Sequence, residues 1–168
     1  MSKFVQIAPS ELLLNPFTTL DKDWMLITAG NKKSFNTMTA SWGALGVIWN
    51  KYTVTCYIRP QRYTHEFVER EEYFTCSFLE SSYRQALALC GRVSGRDTNK
   101  VKDADLTPIF DEKAPYFAEA NQVFLCRKLY TQVIDPKGFK LPDIDENYAA
   151  KDYHTIVIGE IVKALGKK

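Results

Sequence analysis

The pattern of hydrophobic and polar positions predicts a chain built mainly from β-strands. Six segments rich in β-branched and aromatic residues, bounded by turn-forming residues, are typical of strands. They are WMLIT from Trp24, NTMTASW from Asn36, YTVTCYI from Tyr52, YFTCSFL from Tyr73, NQVFLCRKLYTQVI from Asn121 and HTIVIGEIVKAL from His154. Because turns separate most of these segments, the pattern favours an antiparallel sheet closed into a barrel over a doubly wound parallel sheet.

Two helices interrupt this series of strands. The first is short and starts near Thr64, whose hydroxyl is a candidate N-cap for HEFVERE. The second carries Ser82 and Gln85 in the spacing of an S-x-x-Q capping box, and Gly91 is its predicted end. The sequence therefore predicts flanking helices with identifiable starting points.

Three connections are expected to lack regular structure. The turn AGNKKS at 29–34 has the length of a hairpin loop between the first two strands. The polar segment RVSGRDTNK at 92–100 is predicted to be a surface loop. The stretch 134–152, with two prolines, a glycine and many acidic residues, indicates an irregular excursion between the last two strands.

Composition narrows the class of protein. A chain of 168 residues fits one domain, 1–168, and its 45% hydrophobic and 25% charged residues are typical of a globular protein. A formal charge of +2 gives no field that favours nucleic acid or a membrane surface as a partner. The N-terminal residues do not resemble a leader, and no apolar run approaches a membrane span, so we predict a cytoplasmic protein.

Cysteine and histidine spacing disfavours a metal site. The four cysteines form no C-x-x-C pair, and three of them (Cys56, Cys76 and Cys126) fall in apolar strand segments. Reduced cysteine there behaves as a small hydrophobic residue, so core packing is the favoured interpretation. The two histidines, His65 and His154, have no third ligand at a suitable spacing. We therefore expect no metal.

The strand beginning at Asn36 aligns several small hydroxyl side chains. Along an extended chain, Thr37, Thr39 and Ser41 share one face and Met38, Ala40 and Trp42 share the other. One interpretation is an ordinary antiparallel strand with its polar face toward water. The other is a surface on which a flat, phosphorylated ligand lies close to the backbone.

Two basic segments are candidates for binding an anion. Arg59, Arg62 and Thr64 fall within six positions and end where a helix begins, a place that favours phosphate. The alternative is that the arginines pair on the surface with Glu66, Glu69, Glu71 or Glu72. The loop with Ser94, Arg96 and Lys100 either closes over the same anion or is a solvated turn.

Taken together, these segments resemble a known family. FNTMTASWG, IRPQRYTHEF, CGRVSGRDTNK and HTIVIGEI, in this order, are similar to the flavin reductase-like, flavoredoxin-type proteins of the FMN-binding split-barrel family, and the resemblance spans about 24–165. It implies a six-stranded antiparallel split β-barrel with short flanking helices, a homodimer, and one FMN per subunit near the dimer interface.

The resemblance also implies site residues. The flavin ring and ribityl chain would contact Thr37, Met38, Thr39, Ala40, Ser41 and Trp42. The phosphate would contact Arg59, Arg62, Tyr63 and Thr64, with Ser94, Gly95 and Arg96 completing the pocket, and His154 would border the open face of the flavin. Val101 stands where a bulky aromatic residue often follows the second basic loop in the family, which changes the packing expected around Lys100.

The function implied is that of an FMN-dependent reductase. It would take hydride from NADH or NADPH and pass electrons to a flavin, iron or protein acceptor. No G-x-G-x-x-G fingerprint is present, so the nicotinamide would bind only transiently, on the flavin. In this setting His154 either donates to the nicotinamide amide or is a satisfied histidine at the start of a strand.

Two other functions stay open. One is an FMN-loaded electron carrier without significant turnover of NADH or NADPH. The other is a non-redox barrel that binds single-stranded nucleic acid through aromatic and basic residues, which the balanced charge disfavours.

Overall fold

Most of the chain is antiparallel β-structure. The structure is a computed structural model that describes residues 4–167. The strands are β1 (Phe4–Ile7), β2 (Met25–Gly30), β3 (Phe35–Ala40), β4 (Gly43–Ile48), β5 (Lys51–Ile58), β6 (Tyr73–Leu79), β7 (Pro108–Ile109), β8 (Tyr116–Phe117), β9 (Ala120–Val133) and β10 (Thr155–Lys167). The α-helices are α1 (Pro16–Thr18), α2 (Tyr63–Arg70), α3 (Arg84–Arg92) and α4 (Lys100–Asp103). A π-helical turn, Thr19–Asp23, continues α1, and 3₁₀ turns cover Pro9–Glu11, Ser81–Tyr83, Pro136–Gly138 and Pro142–Tyr148.

The main sheet has the strand order β3-β2-β6-β9-β10-β5-β4, and all of its pairings are antiparallel. The long strand β10 pairs with β9 along one edge, and its other edge pairs first with β5 and then with β1. Two register shifts between β9 and β10, at Ile158/Gly159 and Ile161/Lys163, mark bulges that bend this hairpin. The six predicted segments are all strands, and the predicted mainly β fold class is confirmed.

The sequence analysis did not predict four of the strands, which are β1, β4, β7 and β8. The segment that forms β4, GALGVI, has two glycines and an alanine, which are depleted in strands. Its pairing with β5 is made through a turn in which Trp49 and Asn50 both have positive φ, of 52° and 56°. Positive φ at both central residues is the geometry of a tight hairpin turn, so the turn and β5 impose the strand on a segment of low propensity.

Two hydrophobic cores lie on opposite faces of the sheet. Strand β2 contributes to both, because Met25, Ile27 and Ala29 face one core and Leu26 faces the other. The first core also contains Cys56, Cys76 and Cys126, and the second contains Cys90. All four cysteines are buried and unbridged, which confirms the core-packing interpretation for the three in strands.

The predicted N-cap at Thr64 is wrong. The capping position of α2 is Arg62, and no side chain caps the helix there. Thr64 is the second helical residue and is buried, and its hydroxyl accepts a hydrogen bond from Asn36 Nδ2 at 2.8 Å. The Thr64 hydroxyl therefore ties α2 to β3 instead of satisfying the helix end.

The predicted capping box at Ser82 and Gln85 is also wrong. A 3₁₀ turn precedes α3, and the Arg84 N–H donates to the Ser81 carbonyl within it. This turn occupies donors that a capping box would satisfy, because its hydrogen bonds run between residues three apart. At the other end the helix continues through Arg92, one residue beyond the predicted stop at Gly91.

Within residues 4–167, no helix is long and apolar enough to cross a membrane.

Candidate functional site

The hydroxyl face of β3 is packed against other elements and does not face water at its first two positions. Thr37 is 0% exposed, and its Oγ1 lies 2.8 Å from Thr28 Oγ1 on β2. Thr39 Oγ1 donates to the Leu87 carbonyl of α3 at 2.5 Å. The water-facing interpretation therefore fails at both threonines, whose hydroxyls are already engaged within the protein.

The end of β3 forms one wall of a cavity of about 230 Å³, called here the polar cavity. It is lined by Met38, Thr39, Ala40, Ser41, Trp42, Tyr57, Arg59, Arg62 and His154. Eight of these nine residues are among the site residues named from the sequence. The sequence analysis missed Tyr57, which lies on β5 two positions before Arg59, the residue that follows the strand. Side chains two positions apart along an extended chain share a face.

Arg62 lies between the polar cavity and the C-terminal end of α3. Its Nη1 donates to the Gly91 carbonyl at 2.6 Å and its Nη2 to the Cys90 carbonyl at 3.4 Å. No carboxylate is within ion-pair distance of Arg62 among the residues that the structure describes. Arg62 is partly buried, and the loss of hydration that burial brings lowers the pKa of its guanidinium.

Arg59 is held differently. Its Nη1 pairs with Asp152 Oδ2 at 2.6 Å, and its Nη2 donates to the Asn147 carbonyl at 2.9 Å. Hydrogen bonds from Arg59 and Gln61 lower the pKa of the Asp152 carboxyl. Arg59 thus pairs with an acidic residue of the excursion 134–152, and not with any of the four glutamates between positions 66 and 72 that the sequence suggested.

His154 closes the opposite side of the polar cavity. Its Nδ1 lies 2.9 Å from Tyr148 Oη, and its ring packs against Trp42 with centroids 5.1 Å apart. Burial, reinforced by the nearby Arg59 cation, lowers the pKa of His154 to about 4. The imidazole is therefore neutral at physiological pH and carries a single ring proton.

A second, apolar cavity of about 630 Å³ adjoins the polar cavity. The two share Ser41, Trp42 and Tyr57. The other lining residues are mainly hydrophobic and come from α1 and its π-helical turn, β4 and the excursion: Pro16, Phe17, Leu20, Asp21, Gly43, Ala44, Leu45, Ile134 and Tyr148. Together the two cavities form a site with a cationic end and an apolar end.

The remaining predicted contacts lie elsewhere. Tyr63, Gly95 and Arg96 line a separate cavity of about 530 Å³, the lysine cavity, together with Lys32, Lys33, Ser34, Phe35, Asn36, Phe67, Asp97, Thr98, Asn99, Lys100 and Val101. Arg96 is paired there with Glu66, and its guanidinium lies 4.5 Å from the centre of the Tyr63 ring. Thr37, Thr64 and Ser94 line neither the polar nor the lysine cavity.

Asn36 is a structural residue that the sequence analysis did not single out. Its amide donates to Thr64, and a Cβ at Gly95 would lie 2.0 Å from its Oδ1. A side chain at position 95 would therefore force the Asn36 amide out of this position, so glycine lets the loop pack closely on β3. Within residues 4–167, no group of three or more His, Cys, Asp or Glu side chains has the geometry to hold a metal ion.

Comparisons with known proteins identify the family of the chain. The model of the flavin reductase-like domain family matches residues 19–168. The chain therefore belongs to the flavin reductase-like family. No curated protein matches the chain.

Several solved structures share the fold. One is the FMN-binding domain of a flavin reductase-like enzyme from Shewanella baltica, with a TM-score of 0.71 and 16% identity over 98% of this chain and 78% of that one. Another is the flavoredoxin of Methanosarcina acetivorans, with a TM-score of 0.65 and 22% identity over 84% and 67%. Nitrilotriacetate monooxygenase component B from Bacillus cereus gives a TM-score of 0.67 and 17% identity over 95% and 80%. These similarities confirm the split-barrel fold.

Proposed function

We propose that the chain binds FMN across the polar and apolar cavities and works as a reductase. In this proposal NADH or NADPH supplies hydride to the bound FMN, and the electrons pass to a flavin, iron or protein acceptor. The observation that carries the proposal is Arg62, a partly desolvated cation without a carboxylate partner in residues 4–167, at the wall of a cavity that adjoins an apolar one.

The phosphate end of FMN fits Arg62 better than the other predicted arginines. Arg59 and Arg96 each have a carboxylate partner, Asp152 and Glu66 respectively, which neutralises their charge. Within residues 4–167 the Arg62 guanidinium donates only to backbone carbonyls. A guanidinium that keeps donors free binds phosphate oxygens in a fork-like geometry. Residues of the lysine cavity are then assigned a structural role.

The ring end of FMN fits the apolar cavity. Sites for molecules of this size commonly have about 300–1,000 Å³, so the polar cavity alone is small for FMN and the adjoining cavity supplies the room. Trp42 and Tyr57, shared by both cavities, offer flat surfaces to an isoalloxazine ring. The Ser41 hydroxyl stands at the same boundary, within reach of a polar edge of the ligand.

Bound FMN would supply the hydride and electron chemistry. The residues of the chain would bind FMN, orient its ring and shield it from water. Arg62 would hold the phosphate, Trp42 and Tyr57 would fix the plane of the ring, and the neutral His154 would offer one hydrogen bond across the cavity. The Arg59–Asp152 pair keeps the excursion 134–152 against β5 and so limits the access of water to that side.

A specific observation keeps the electron-carrier function as the second candidate. Two of the similar structures are flavoredoxins, from Methanosarcina acetivorans and Desulfovibrio vulgaris, each 22% identical to this chain. The chain would then hold FMN tightly and receive electrons from a protein partner, with negligible turnover of NADH or NADPH.

We also propose that the chain forms a homodimer in the cytoplasm. The β4–β5 hairpin and the end of β9 expose large apolar side chains: Val47, Ile48, Trp49, Tyr52, Tyr130 and Val133. Phe17, beside the apolar cavity, is 83% exposed. A second copy would cover such surfaces, and light scattering that finds a monomer at micromolar concentration with FMN bound would contradict this part of the proposal.

The experiment that tests the function is anaerobic reduction of the purified protein. A visible spectrum first establishes whether flavin is bound, and NADH and NADPH are then added in separate samples without oxygen. Bleaching within the time of catalytic turnover supports the reductase, whereas a stable yellow protein supports the carrier. A colourless protein that cannot be reloaded with FMN would contradict both.

A further inference from the structure

The hydrogen bond between Tyr148 and His154 joins the excursion 134–152 to the polar cavity. Tyr148 is 3% exposed, and its Oη lies 2.9 Å from His154 Nδ1. The two rings meet edge to face with their centroids 5.5 Å apart. The backbone beside His154 is also fixed, because the Ile134 N–H donates to the His154 carbonyl at 3.0 Å.

The direction of this hydrogen bond follows from counting donors and acceptors. Among the described residues, Tyr148 Oη has no partner other than His154 Nδ1. If Nδ1 carried the proton and donated to Oη, the phenol proton would be left in a buried position without an acceptor from those residues. If Oη donates to Nδ1, the buried hydroxyl proton and Nδ1 are both satisfied. The nitrogen left without a partner is then Nε2, which is not among the buried unpaired atoms of residues 4–167 and belongs to a residue that lines the polar cavity.

The surroundings keep the imidazole in its neutral form. The Arg59 guanidinium lies 5.1 Å from the centre of the Tyr148 ring. Burial, reinforced by this cation, disfavours a second proton on the imidazole and lowers the pKa of His154. With Nδ1 occupied as an acceptor, the single ring proton of neutral His154 belongs on Nε2.

We propose that Tyr148 is a positioning residue that holds His154 as the neutral Nε2–H tautomer, so that His154 presents an N–H donor to the polar cavity. His154 Nε2 has no hydrogen-bond partner of its own within residues 4–167. A neutral N–H donor recognises a carbonyl oxygen or an unprotonated ring nitrogen. Only the identity of that acceptor, a flavin edge or a nicotinamide carboxamide, rests on the proposed function.

Histidine ¹⁵N NMR tests the tautomer directly. His154 and His65 are the two histidines of the chain, and a His65→Gln variant assigns their signals. In the wild-type protein at pH 7 we expect a protonated Nε2 and an unprotonated Nδ1 for His154, with the Tyr148 hydroxyl proton correlated to Nδ1. A proton on Nδ1, or no correlated hydroxyl proton, would overturn the proposal without recourse to any variant at Tyr148.

The matched variants are Tyr148→Phe and Tyr153→Phe. Tyr153 belongs to the same aromatic cluster, with its ring 4.9 Å from that of Tyr148, but its hydroxyl bonds to Asp145 Oδ1 at 2.8 Å. We expect Tyr148→Phe to lower the ratio of the Nε2–H to the Nδ1–H tautomer about 2- to 10-fold, the range expected for one lost hydrogen bond, and Tyr153→Phe to leave it unchanged. Equal ratios in wild type and Tyr148→Phe would overturn the assignment.

The acceptor is identified by adding FMN and then NAD⁺ to the wild-type protein. A shift of the His154 Nε2–H signal on addition of FMN assigns the flavin as acceptor, and a shift only after NAD⁺ assigns the carboxamide. If FMN binds but neither addition moves the signal, the donor role is overturned. If FMN does not bind at all, the proposed function fails, while the tautomer measurement still decides the role of Tyr148.

Discussion

The polar cavity and the lysine cavity lie on either side of the C-terminal end of α3. Each has a cation that donates to this helix end, but the two cations differ in how far the protein encloses them. Arg62, in the polar cavity, and Lys100, in the lysine cavity, both donate to the Cys90 carbonyl at the end of α3. Lys100 is 3% exposed and its Nζ also donates to the Val93 carbonyl at 3.2 Å, so it is enclosed by the protein. Arg62 instead lines the polar cavity, which shares three lining residues with the apolar cavity.

On the proposed function, this difference separates the polar cavity from a cavity that is merely basic. The lysine cavity contains four cations: Arg96 is paired with Glu66, Lys100 donates to backbone carbonyls, and Lys32 and Lys33 lie in the exposed loop 31–34. The polar cavity has two arginines, and Arg62 has no carboxylate partner within residues 4–167. A partly buried cation without a carboxylate partner, with an apolar cavity beside it, distinguishes the candidate ligand site.

The largest effect is expected for Arg62→Ala. Loss of a charge-assisted contact to phosphate costs about 1.5–3 kcal/mol, a roughly 10- to 100-fold weaker affinity for FMN. Riboflavin, which lacks the phosphate, is expected to bind with nearly unchanged affinity. Titration of both ligands by flavin fluorescence provides the measurement.

Arg96→Ala is the matched control in the lysine cavity. We expect it to change FMN affinity little, since Glu66 already neutralises its charge. Arg59→Ala tests the same idea within the polar cavity, where Asp152 is the partner. A loss of FMN affinity in Arg96→Ala larger than that in Arg62→Ala would reverse the comparison between the two cavities.

A smaller effect is expected for the stability of Lys100→Met. Burial lowers the pKa of Lys100 to about 8 in the folded protein, so the unfolded chain binds this proton more tightly between pH 8 and the ordinary pKa of lysine. Wild-type stability should therefore rise relative to the variant across that window, by about 2 kcal/mol. Urea unfolding of both proteins at pH 7.5 and pH 10 gives the difference, and a parallel pH dependence would show that Lys100 is not desolvated as described.

His154, on the opposite wall of the polar cavity, should also make the free energy of unfolding depend on pH. The folded-state pKa of His154, lowered to about 4, means that the unfolded chain takes up this proton first as the pH falls below the ordinary histidine value. Wild type should lose about 1–2 kcal/mol more stability than His154→Asn between pH 7 and pH 4.5. If both proteins lose the same stability over this range, His154 is not held neutral by its surroundings.

The smallest effects separate Ser41 from Thr39 on the same strand. Thr39 donates to Leu87, so Thr39→Val should lower the free energy of unfolding by about 0.5–1.5 kcal/mol and change FMN affinity little. Ser41 lines both cavities, so Ser41→Ala should weaken FMN binding by a similar amount and leave stability nearly unchanged. Denaturation curves and FMN titrations of both variants measure these effects. If Thr39→Val weakens FMN binding and Ser41→Ala lowers stability instead, Thr39 is a ligand contact after all.

Much of the fold and of the polar cavity could be predicted from the sequence, and the misses have identifiable causes. Strand periodicity and the resemblance to a known family located Met38–Trp42, Arg59, Arg62 and His154, because these residues lie in regular strands or directly beside an element end. The local capping signals at Thr64 and Ser82 failed because tertiary contacts and a 3₁₀ turn satisfied the same groups.

Other features depend on contacts distant in sequence. Tyr148 lies in an irregular segment whose position is fixed by Arg59 and Asp152 from different parts of the chain, so no local pattern indicates its contact with His154. The separation of the predicted phosphate contacts into two cavities likewise depends on the way the end of α3 packs between Arg62 and Lys100.

The most direct test of the central claim is a crystal structure of the protein with FMN bound. We expect the phosphate within hydrogen-bond distance of the Arg62 guanidinium and the isoalloxazine ring against Trp42 and Tyr57, extending into the apolar cavity. A phosphate bound at Arg96 and Lys100, with the ring in the lysine cavity, would contradict the account.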